Sequence, residues 1–139
     1  MCPHYTHYRN MALLPKKILI IEDDPSLIKA LTDRLKVAGY EAVSAPDGKL
    51  GVEQAIEQLP DLIITDVMMP RLPGSHVVRE LQADDRTKNI PVIVMSGILG
   101  RDDARRGLNI NGKLYPALSK PFDAETLINL IGTLLKAQD

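Results

Sequence analysis

Cysteine is almost missing from this chain. Cys2 is the only one in 139 residues, so no internal disulfide framework can form, and a lone thiol fits a reducing compartment. Excess charge of either sign is missing as well. A net charge of −1 argues against a protein held on nucleic acid or an anionic membrane by bulk electrostatics. No apolar run approaches the roughly 18–20 residues needed to span a bilayer. The opening Met1-Cys2-Pro3-His4-Tyr5-Thr6-His7 lacks the cationic and then apolar order of a signal peptide, and a cytoplasmic location is expected. What remains, 45% hydrophobic and 25% charged residues, is the composition of one ordinary globular domain with a single core.

Residues 1–15 are polar, aperiodic and end in a proline, and read as a loosely held tail before a domain over 16–139. Cys2, His4 and His7 lack a second ligand set and are read as incidental rather than metal-binding. From Lys16 the pattern alternates strand and helix five times. The strands are Ile18–Ile21, Glu41–Ala45, Leu62–Asp66, Pro91–Met95 and a fifth around Tyr115–Ser119. Asp24 and Pro25 open a helix that carries Leu27, Leu31 and Leu35 at i, i+4, i+8, with Ile28 beside them, and stops at Gly39. A second helix follows Asp47-Gly48 with Leu50, Ala55, Ile56 and Leu59 on its apolar face. Further helices are expected over Ser75–Gln82, weakly over Arg101–Leu108, and from Asp123 with Leu127, Ile128, Ile131, Leu134 and Leu135 inward. Strands one, three and four are apolar throughout, so both sheet faces are covered. The class is therefore α/β, a parallel sheet in a three-layer sandwich, with nothing further expected after the last helix.

Ligands of such a sheet gather at the carboxyl ends of its strands. Those positions hold Glu22-Asp23-Asp24, Asp66, Ser96-Gly97 and Lys120-Pro121. Carboxylates converging there repel by about 4 kcal/mol per pair at about 4 Å and an effective dielectric near 20. A hard divalent cation relieves that repulsion, and Mg²⁺ takes a few carboxylates, waters and phosphate oxygens. An ammonium and a hydroxyl beside the same acids suit a phosphoryl group. Together these parts describe phosphoryl transfer onto Asp66.

Four blocks carry a resemblance. Lys17–Asp24, Asp61–Pro70 with Gly74, Pro91–Gly97 and Ser119-Lys120-Pro121-Phe122 resemble the signature blocks of the receiver domain of two-component response regulators, in the same order and over the chain from Lys16 onward. The resemblance implies a flavodoxin-like (βα)5 fold with strand order 2-1-3-4-5. It implies that Asp66 is phosphorylated by a sensor histidine kinase or a histidine phosphotransfer protein. Asp23, Asp66 and the backbone carbonyl of Met68 would ligate Mg²⁺, with Glu22 supporting them. Ser96 would bond the phosphoryl oxygen, Lys120 would pair with it, and the Lys120–Pro121 peptide would be cis. Signalling would pass by protein–protein contact to a downstream target, from a monomer or weak dimer, without direct nucleic-acid or membrane binding.

The family pattern is not matched everywhere. Three residues before Lys120, receivers usually carry an aromatic ring; here that residue is Ala117, and the nearest aromatic is Tyr115. The stretch from Ser96 to Lys120 is also longer than usual and contains Asn109-Ile110-Asn111-Gly112. Met68 and Ile98 are apolar where polar residues assist hydrolysis of the acyl phosphate, so slow autodephosphorylation is expected. Asp24 reads as a helix cap, His76 as a surface residue, and Arg101, Arg105 and Arg106 as a solvated face. Two other functions compete with this reading: a receiver-fold interaction scaffold without regulated phosphorylation, and an aspartyl phosphohydrolase. The second wants another acid two residues after Asp66, where Met68 stands.

Overall fold

The computed structural model describes residues 14–67, 74–97 and 107–138. Expectations that rest on Cys2, His4, His7, Met68, Ile98 or the arginines from 101 to 106 lie outside the described residues. The order of elements is β1 (Lys17–Ile21), α1 (Pro25–Val37), β2 (Glu41–Ala45), α2 (Gly48–Gln58), β3 (Leu62–Asp66), α3 (Gly74–Ala83), β4 (Val92–Ser96), β5 (Leu108–Ile110), β6 (Lys113–Tyr115), β7 (Ala117–Ser119) and α4 (Ala124–Gln138). Five strands form one sheet in the order β2-β1-β3-β4-β7, and all four neighbouring pairs are parallel. With β7 as the fifth strand of that sheet, this is the expected 2-1-3-4-5 flavodoxin-like topology.

Alternation along the strands divides the core in two. Ile18, Ile20, Leu62, Ile64, Ile93, Met95 and Leu118 face α1 and α4, meeting Leu31, Leu35, Leu127, Ile131 and Leu135. Leu19, Ile21, Ile63, Val92, Val94 and Ala117 face the other way, onto Ala55 of α2 and Val77, Val78 and Leu81 of α3. Apolar residues on both strand faces are what a sheet covered on both sides requires. The Asp24 carboxylate caps α1 by accepting from the Ser26 and Leu27 amides at 2.9 and 3.5 Å, and Asp47 caps α2 by accepting from Leu50 at 2.9 Å.

Packing on α2 differs from the expectation. Leu50 and Leu59 are exposed, at 42% and 54%. Leu50 lies in the first turn, and Leu59 is the C-cap in a left-handed conformation (φ 47°), which turns its side chain out of the helix row. Gly51 and Ala55 take the inward positions instead. On α4, Ile128 and Leu134 are only partly buried, at the edge of the core that Leu127, Ile131 and Leu135 fill.

The largest departure lies between β4 and β7. The expected helix does not reach Leu108, because Gly107 has φ +93° and Leu108 opens a strand. β5 and β6 pair antiparallel, with Ile110 opposite Lys113 and Asn111-Gly112 as the two-residue loop. Both loop residues have positive φ, 54° and 86°, as a type I′ hairpin turn demands. Asn-Gly between two short apolar-alternating runs is a strong hairpin signal. The hairpin puts Ile110 and Tyr115 into the core beside Val77 and Leu81. The expected fifth strand is accordingly cut at Pro116, and only Ala117–Ser119 joins the main sheet.

Candidate functional site

Every polar group of the site is set by the end of a strand. Glu22 follows β1 directly, Asp66 ends β3, Ser96 ends β4 and Lys120 follows β7. Parallel register aligns these ends, pairing Asp66 with Met95 and Ser96 with Ser119. The Lys120 amide donates to the Ser96 carbonyl at 2.8 Å, which fixes the root of the lysine against β4. The Lys120–Pro121 peptide is cis, as expected.

Glu22, Asp66 and Ser96 are almost completely buried, at 1%, 4% and 1% exposure. A carboxylate so placed needs a partner. Lys120 provides one for both acids. Its Nζ donates to Asp66 Oδ2 at 2.7 Å and to Glu22 Oε2 and Oε1 at 3.0 and 3.2 Å. Asp23 is exposed beside them, and carboxylate oxygens of Glu22, Asp23 and Asp66 lie within 4.8 Å of one another. The sequence brought the three acids and the lysine to one place, and the structure agrees. No local pattern in the sequence points to the bond between Lys120 and Glu22, which joins residues 98 positions apart.

Three clustered carboxylates stand beside the Lys120 ammonium, which bonds two of them, Glu22 and Asp66. Burial pushes the Glu22 carboxyl up to about 7; the Lys120 hydrogen bond opposes this and the nearby Asp66 adds to it. For Lys120, burial alone disfavours the ammonium, but its bonds to Asp66 and Glu22 outweigh that and hold its pKa above the usual lysine value. Hard oxygen donors, closely spaced and open to solvent at Asp23, fit a small divalent cation. Asp24 turns its carboxylate to the start of α1 and is not one of the three clustered acids.

Other expectations can be placed as well. His76 is exposed on α3. Ala117 is 5% exposed, and Tyr115 is 3% exposed in the same core, with its hydroxyl buried and without a hydrogen-bond partner among the described residues. Among the described residues no helix is long and apolar enough to cross a membrane.

Residues 18–132 match the response regulator receiver domain family. RpaA, a DNA-binding dual master transcriptional regulator of Synechocystis sp., is 36% identical over 123 residues, a span of 88% of this chain and 50% of that protein. Protein PilH of Pseudomonas aeruginosa is 34% identical over 119 residues, covering 86% of this chain and 97% of PilH. Among solved structures, the receiver domain of a sensor histidine kinase from Pseudomonas aeruginosa PAO1 holds magnesium in its active-site cleft. It shares the fold, with a TM-score of 0.77 at 24% identity over 88% of this chain and 98% of that one. The chain thus spans half the length of RpaA and nearly all of PilH.

Proposed function

This chain belongs to the response regulator receiver domain family, and from that premise we propose that it accepts a phosphoryl group on Asp66 in a Mg²⁺-dependent reaction. The receiver would occupy residues 16–139, with 1–15 as a tail. The donor is a phosphohistidine on a sensor histidine kinase or a histidine phosphotransfer protein. The observation that carries the reading is the Lys120 ammonium held at 2.7 Å from a buried Asp66 and shared with a buried Glu22.

The chemistry follows from these groups. An Asp66 carboxylate oxygen attacks phosphorus, the phosphorus–nitrogen bond breaks, and the donor imidazole leaves with the electron pair and takes up a proton. Burial keeps water from the carboxylate before transfer. Lys120, already beside Asp66, meets the charge that gathers on the phosphoryl oxygens, and the Ser96 hydroxyl donates to one of them. Asp23, Asp66 and the Met68 carbonyl would hold Mg²⁺, with Glu22 beside them. When bound, the cation neutralises phosphoryl and carboxylate charge together. The output is a phosphorylation-dependent contact with a downstream protein in the cytoplasm.

Incubation with Mg²⁺ and acetyl phosphate, followed by intact-mass measurement, tests the reading. One phosphate adduct is expected, absent in Asp66→Asn and without Mg²⁺. No adduct, or an adduct that survives Asp66→Asn, would overturn it. Because Met68 and Ile98 are apolar, the adduct should decay slowly; loss within seconds would contradict that part.

A further inference from the structure

Asn111-Gly112 is the only Asn-Gly pair in the chain, and it forms the exposed tip of the β5–β6 hairpin. We propose that Asn111 is a site of spontaneous deamidation whose rate is set by the opening of this hairpin. The inference is independent of the phosphorylation reading.

The reaction needs only water. The Gly112 backbone nitrogen attacks the Asn111 side-chain carbonyl carbon, a carbon–nitrogen bond forms, and the side-chain amide nitrogen leaves as ammonia, carrying the proton lost by Gly112. Water then opens the five-membered imide at one of its two carbonyls. One opening leaves an ordinary aspartate in place of Asn111, the other an isoaspartate. Glycine favours the first step because no side chain hinders its nitrogen and its backbone rotates freely.

The folded hairpin engages both reacting groups. The Gly112 N–H donates to Asn109 Oδ1 at 3.1 Å, so the nucleophilic nitrogen is occupied. The Arg79 guanidinium of α3 donates to Asn111 Oδ1 at 3.5 Å, which steadies the side-chain amide against rotation. The positive φ of both residues ties their conformation to the turn. Attack therefore waits for the tip to open.

The two products differ in consequence. The ordinary aspartate keeps an Asp-Gly turn and places a carboxylate towards Arg79. Isoaspartate carries an extra methylene through the backbone of a two-residue loop, where the loop length fixes the register. Ile110 and Lys113 then cannot remain opposite each other, and the cover that Ile110 and Tyr115 give to Val92 and Val94 loosens. The change is irreversible without repair, so the hairpin records the age of the molecule.

The full chain is incubated at neutral pH, natively and in urea, and peptides containing residue 111 are followed by mass spectrometry with isoaspartate resolved chromatographically. Deamidation at Asn111 should be slower in the native chain than in urea. Asn109→Ala should speed the native reaction about two- to tenfold, the range set by one net hydrogen bond. Asn109→Asp, which retains an acceptor, should stay near the native rate. Hydrogen exchange over residues 108–115 should rise in the isoaspartate fraction alone. Equal native and urea rates, no acceleration in Asn109→Ala, or no product at Asn111 in either state would each overturn the proposal.

Discussion

Replacing Lys120 with methionine keeps a long side chain but removes the ammonium that Asp66 and Glu22 share. Taking one partner from a buried ion pair costs about 3–5 kcal/mol, because the other charge is left without compensation. Lys120 is 25% exposed, so water screens part of the interaction, and we expect a loss of about 2–4 kcal/mol at about pH 8 without divalent cations. The loss should depend on pH in a definite direction. Glu22 stands at about 7 in the folded protein against an ordinary 4.5. Between those values the folded state holds more protons than the unfolded chain, so this residue's contribution to stability falls as pH rises through the window. Without Lys120 the Glu22 pKa rises further, because the hydrogen bond that lowered it is gone. The variant is therefore hurt most at alkaline pH and least where Glu22 is protonated. Urea unfolding followed by circular dichroism at about pH 8 and about pH 5.5 measures both values, provided the m-value is unchanged. Added Mg²⁺ should restore more stability to the variant than to the parent at the higher pH, since ligand binding to the folded state stabilises by mass action. A loss below about 0.5 kcal/mol, or the same loss at both pH values, would refute the coupling of these three groups.

Three further outcomes are expected. Tyr115→Phe should stabilise the protein by about 1–2 kcal/mol in urea unfolding, because it removes a buried hydroxyl without a partner among the described residues; destabilisation would show that the hydroxyl is satisfied. Thr87→Val should cost about 1–3 kcal/mol, since the buried Thr87 hydroxyl donates to the Leu81 carbonyl at 2.7 Å and valine leaves that carbonyl bare at the end of α3. In Gly51→Ala, the new methyl would lie 2.6–2.8 Å from three atoms of the fully buried Ile21, so overpacking of about 1–3 kcal/mol should exceed the helix-propensity gain of about 1 kcal/mol; a higher melting temperature would contradict this.

The sequence was most legible where one physical rule acted alone. Unbroken apolar strands revealed a sheet covered on both faces, and the strand ends then placed Glu22, Asp66, Ser96 and Lys120 together. It was least legible where two rules competed. Residues near 101–108 have the charge pattern of a helix, while Asn111-Gly112 a few residues later demands a hairpin, and the turn prevailed for Leu108. Leu50 and Leu59 fit the helical period but sit at the two ends of α2, where capping geometry rather than period directs the side chain. The Lys120–Glu22 bond joins residues 98 positions apart, and no local pattern encodes such a pair.

The hydrogen bond from the Lys120 amide to the Ser96 carbonyl closes residues 97–119 into a loop pinched at its neck. The ladder from Ala117 to Ser119 along β4 ties the returning end of that loop to the sheet as well. Closing a longer loop costs only about 0.6 kcal/mol for each doubling of its length. The spacing between Ser96 and Lys120 is thus set by the register of β4 and β7 and not by the length of chain between them, so residues inserted at the hairpin tip leave it unchanged. The site therefore keeps its geometry through sheet register, whatever length of chain the hairpin carries.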